Sequence, residues 1–131
     1  MLDTLVAQLI LQERNIAFVV TDRSLRIQQI GGKRDLLTID GRPVKFGASL
    51  FDLAPELIGC EEHLQALLAQ KAPTFQLEFV NRENGAGALY YVTLHNYGYA
   101  AEGGAPTGIL HIVEDVTFIG ETNQRLTQQR N

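Results

Sequence analysis

Apolar residues at positions 2, 5, 6, 9 and 10 fall on one face of an α-helix, and Asp3 stands in the first turn, where the helix dipole favours a carboxylate. The spacing predicts an amphipathic helix over residues 1–13. The period then changes. Residues 16–21 read as a buried strand, Asp22-Arg23-Ser24 as turn chemistry, and residues 25–30 as a second strand, so the pair predicts a hairpin that Gly31-Gly32 should end. Residues 33–45 keep no clear period, and Gly41 and Pro43 argue for loop and short turns. Ser49 is placed to cap a short helix, with Asp52 three residues on in a variant of the capping box and Pro55 limiting its length. Residues 61–71 predict a helix with Leu64, Leu67 and Leu68 on one face, acidic at its start and closed by Lys71 and Pro73. Phe75, Leu77 and Phe79 alternate with Gln76, Glu78 and Val80 as in a half-buried strand. Residues 81–87 predict a hairpin loop and residues 88–99 a long strand with Tyr90, Val92 and Leu94 as its apolar set. The β-branched run from Gly108 predicts a last strand covered on both faces, and residues 120–131 a polar helix.

Three local motifs sit on this frame. Asp115-Val116-Thr117, at the strand-to-helix junction, resembles the Asp-Ile-Thr-type triplet that closes PAS domains ahead of a signalling helix. Val20-Thr21-Asp22-Arg23-Ser24-Leu25 resembles the way PAS sequences open, and Gly47-Ala-Ser-Leu-Phe-Asp-Leu53 resembles the entry to their short helices. The resemblance covers nearly all of residues 14–119. It implies an α+β fold: a five-stranded antiparallel sheet with short helices on one face, an N-terminal amphipathic helix and a C-terminal signalling helix. It also implies a sensory and dimerisation module of a bacterial histidine kinase or nucleotide cyclase, working in the cytoplasm through a covalently linked C-terminal effector.

The expected sites follow. Leu2, Leu5, Val6 and Leu9 form the stripe expected to pack in a homodimer. Asp115 and Thr117 are expected to relay the signal, because either side chain can accept from the first free N–H groups of the next helix. Phe51, Leu53, Leu64, Leu67, Leu68 and Phe79 are expected to line a pocket that either holds a small apolar ligand or is simply filled core. Val116, Ile119, Asn123, Leu126 and Arg130 step by three and four, the a/d spacing of a coiled coil. The pattern runs uncapped to Asn131, which predicts a piece of a longer protein.

Composition narrows the chemistry. A formal net charge of −4 with no basic cluster argues against nucleic acid. Residues 5–11 are too short an apolar run to span a bilayer. Cys60 is the only cysteine, so neither an intrachain disulfide nor a cysteine metal cluster can form, and its surroundings lack the Asn-Cys-Arg-Phe-Leu-Gln run of flavin photosensors. His63, His95 and His111 are the only histidines. His63 stands where haem-binding PAS domains carry their ligand and is the basis of a rival haem reading; His95 and His111 are expected as cross-strand neighbours, too few to bind zinc. No nucleophile elbow, P-loop or zinc-protease motif is present, so no metal, cofactor or catalytic residue is expected. A small enzyme on a similar scaffold is the remaining rival.

Overall fold

The computed structural model describes residues 2–118. The tail with its heptad pattern, from Ile119 onward, lies outside the described residues.

Helix α1 (Leu2–Glu13) leads into a five-stranded antiparallel sheet made of β1 (Ile16–Thr21), β2 (Ile27–Gly32), β5 (Phe75–Glu83), β6 (Leu89–Tyr99) and β7 (Gly108–Asp115). Its spatial order is β2-β1-β7-β6-β5, so the last strand lies at the centre. The excursion between β2 and β5 holds a 3-10 turn (Arg34–Leu36), a two-residue hairpin of β3 (Thr38–Ile39) and β4 (Arg42–Pro43), α2 (Leu50–Leu53), a second 3-10 turn (Pro55–Leu57) and α3 (Glu61–Leu68). This is an α+β fold with the short helices of the excursion on one face of the sheet.

Period-2 alternation sets the two faces. Ala17, Val19, Val92, Leu94, Ile109 and Val113 turn inward, and Leu50, Leu53, Leu57, Leu64, Leu67 and Leu68 of the helices meet them in one core cluster. Each such leucine contributes about 1.5–3 kcal/mol when fully buried. The outward-facing residues of β7, Leu110, Ile112 and Glu114, are only half-covered, so β7 is not buried on both faces as its composition predicts.

Two local features differ from the sequence expectation. Gly31 and Gly32 belong to β2 instead of ending it, pairing with Phe18 and Ala17. A Cβ on Gly31 would stand 2.3 Å from the Phe18 ring, so this glycine admits an aromatic neighbour and is not a chain breaker. Helix α3 stops at Leu68, three residues short of Lys71, with Gln70 in the left-handed conformation (φ 58°). Ser49 does cap α2, its hydroxyl accepting from the Phe51 N–H at 3.2 Å.

The stripe of α1 is open in the single chain. Leu2, Leu5, Val6, Leu9 and Ile10 are all exposed, Leu2 at 72%. No helix among the described residues is long and apolar enough to cross a membrane.

Candidate functional site

Leu53, Leu64, Leu67 and Leu68 are brought together under the sheet, with Phe51 half-buried at their margin. Phe79 is not among them. A register shift between Leu77 and Val80 inserts an extra residue in β5, and Phe79 takes φ 53°. Val80 assumes the inward phase, and Phe79 turns out to 38% exposure. A plain alternation cannot show an inserted residue, which is why Phe79 was expected inside.

The inner face also holds polar groups that the apolar pattern concealed. His111 lies between Ile109 and Val113 and shares their inward phase, and Asn96 follows Leu94 in the same way. Both are fully buried. The Asn96 side-chain amide donates to the Phe75 carbonyl at 3.1 Å, and its oxygen stands 2.7 Å from His111 Nδ1. Burial pushes the imidazole of His111 down to about 3; the Arg82 cation and His95 act in the same direction and Glu56 against it. At neutral pH His111 is therefore uncharged.

Arg82 enters the same interior from β5. Its guanidinium forms a two-pronged pair with Glu56, Nε and Nη2 donating at 2.9 and 2.8 Å, with both side chains mostly covered. Burial alone would raise the Glu56 pKa, but the paired guanidinium outweighs it and holds the carboxyl below its usual value. This pair ties the second 3-10 turn to the sheet.

The histidines do not lie as expected. His95 pairs with Ile112, and Asn96 pairs with His111, so neighbouring positions point to opposite faces. His95 is on the outer face, where its Nε2 lies 3.3 Å from a Glu114 carboxylate oxygen. His63 is exposed and stacks flat on Phe75, with ring centroids 4.3 Å apart. It does not reach the interior, where the rival reading needs a haem ligand. Among the described residues, no group of three histidine, cysteine, aspartate or glutamate side chains could hold a metal ion.

The second cluster is the junction after β7. One Asp115 carboxylate oxygen accepts from both the Thr117 N–H and the Thr117 hydroxyl. That hydroxyl in turn accepts from the Tyr91 N–H at 3.2 Å, and the Val116 N–H donates to the Tyr91 carbonyl at 2.8 Å. The Asp115 N–H reaches the Asn15 carbonyl at 3.0 Å, at the exit of α1. The start and the end of the domain are thereby joined at one point.

No protein-family model and no curated protein matches the chain. Solved structures do. A PAS domain of a protein from Colwellia psychrerythraea is 19% identical with a TM-score of 0.56, the match covering 89% of this chain and 98% of that one. A sensory box histidine kinase/response regulator from Burkholderia thailandensis E264 gives 12% identity and a TM-score of 0.60 over 95% and 94%. A sensory box sensor histidine kinase from Vibrio cholerae gives 17% and 0.53 over 88% and 93%. With the strand order, the helical excursion and the junction described above, these likenesses lead to one conclusion: the chain folds as a PAS domain.

Proposed function

We propose that this chain is a non-catalytic sensory and dimerisation module that relays a conformational change to a covalently linked C-terminal effector in the cytoplasm. The observation that carries the reading is the junction. Asp115 and Thr117 fix the direction in which the chain leaves the central strand, and Asn15 ties the same point to the leading helix. A shift of the sheet or of α1 is then passed to whatever follows Thr117, provided the two arrangements differ in free energy. Sensor regions of histidine kinases stand among the fold neighbours, which favours a kinase over a nucleotide cyclase as effector.

The open stripe of α1 supports a homodimer. Beside it, an apolar recess of about 380 Å³ on the outer sheet face, lined by Leu11, Phe18, Val20, Leu110 and Ile112, extends the uncovered surface. The leucine cluster beneath the sheet, expected to be either filled core or the seat of a small apolar ligand, is where such a ligand would lie.

The test is Asp115→Ala in the full-length protein. Effector output or its response to stimulus should change several-fold while the melting temperature falls by only a few degrees. Normal regulation by a folded variant would overturn the relay.

A further inference from the structure

His111 Nε2 is fully buried and has no hydrogen-bond partner among the described residues. Its protonation follows from its neighbours. The Phe75 carbonyl can only accept, so it fixes the amide of Asn96 as donor on that side and turns the Asn96 oxygen toward His111. That oxygen can only accept, so Nδ1 carries the proton and Nε2 presents a bare lone pair to the interior. Buried acceptors without a partner are rare, and each calls for an explanation.

We propose that the inner face of the sheet holds a neutral hydrogen-bond donor on His111 Nε2: the O–H or N–H of a small, otherwise apolar molecule, or an ordered water. A lone pair repels an anion. A cation would have to shed its water in a site whose inward neighbours on the same strand are Ile109 and Val113, with Arg82 already supplying positive charge nearby. A metal ion would need further ligands, and none cluster there among the described residues. A neutral donor meets each of these conditions. The Asn96 relay holds the ring in the orientation that receives it. The organic-ligand form rests on the sensory reading above; the donor itself rests only on the tautomer and the burial.

The measurement is nitrogen NMR of the folded chain labelled with 15N-histidine. His63→Gln and His95→Gln assign the other two rings by elimination and leave His111 intact. The expected His111 signals are a protonated Nδ1 and an unprotonated Nε2 displaced in the direction of hydrogen-bond acceptance. A native mass spectrum then identifies the source: the bare chain mass assigns water, and an adduct lost on denaturation assigns a small molecule. An Nε2 signal at the position of a free, unbonded nitrogen would overturn the proposal, as would a proton on Nε2. A Soret band accompanied by a paramagnetically shifted His111 would replace the donor by a haem iron. Any of these with normal effector regulation would leave the sensory role standing.

Discussion

The carbonyl of Asn15 accepts the backbone N–H of Asp115 at 3.0 Å, joining the second residue after α1 to the last residue of β7. Asn15 holds φ 56°, a left-handed conformation that asparagine tolerates and β-branched residues resist, and its side chain also accepts from Lys33. Asn15→Gly should cost less than about 1 kcal/mol, because glycine keeps the backbone shape. Asn15→Val should cost about 2 kcal/mol by adding strain to the lost side-chain bond. Chemical unfolding of the two variants checks the order, and equal losses would show that backbone shape at this residue is immaterial.

Leu5 and Leu9, 54% exposed each, stand at the centre of the open helical stripe. Replacing both with glutamate should convert a dimer to a monomer with little change in melting temperature, because neither side chain is buried within the chain. Light scattering reads the mass; an unchanged dimer would move the interface elsewhere.

Acid should weaken the fold in two stages. The folded-state pKa of His111 is about 3, below its ordinary value of 6.5, so between these values the unfolded chain binds the extra proton. Its contribution is complete above about pH 6.5 and is lost progressively as pH falls toward 3. Glu56, also depressed, adds its loss only as pH falls below its ordinary 4.5. The groups that bear on His111 are Glu56 from the second 3-10 turn, Arg82 from β5 and His95 from β6. Melting temperature plotted against pH should therefore slope between 6.5 and 4.5, and His111→Gln should flatten that part alone. A slope kept by the variant would assign it to other groups.

Removing one partner of the Glu56–Arg82 pair leaves a covered charge unmatched. Glu56→Gln should cost about 2 kcal/mol, less than for a fully buried pair because both groups retain some contact with water. The double variant Glu56→Leu with Arg82→Leu should recover most of that loss, a non-additivity that a mutant cycle measures directly. Additive losses would mean that the two side chains stabilise the fold independently.

The frame of this chain was legible because its strands alternate cleanly and its helices are short and well punctuated. Val92 and Leu94, or Ile109 and Val113, declare the inner face without ambiguity. The same alternation placed His111 and Asn96 inside, yet composition alone hid them, since a polar residue in an apolar run is easily assigned to solvent. Phe79 was misplaced because an inserted residue inverts the phase and leaves no mark on composition. Gly31 was misjudged because the reason for it is the ring of Phe18, a neighbour across the sheet. The β3–β4 hairpin has two residues on each side, too few to show a period at all. Asp115 and Thr117 were recognisable from their triplet, but Asn15 and Tyr91 were not, because those contacts are made through backbone atoms that any residue carries.

With Phe79 turned out of the ladder, β5 is not a continuous edge. It is nine residues long and lies at the rim of the sheet, the kind of border on which another strand can add amide by amide. The inserted residue interrupts that row near its middle and twists the border away from a straight template. Open-ended growth by strand addition is therefore opposed at this rim of the sheet by the placement of a single residue.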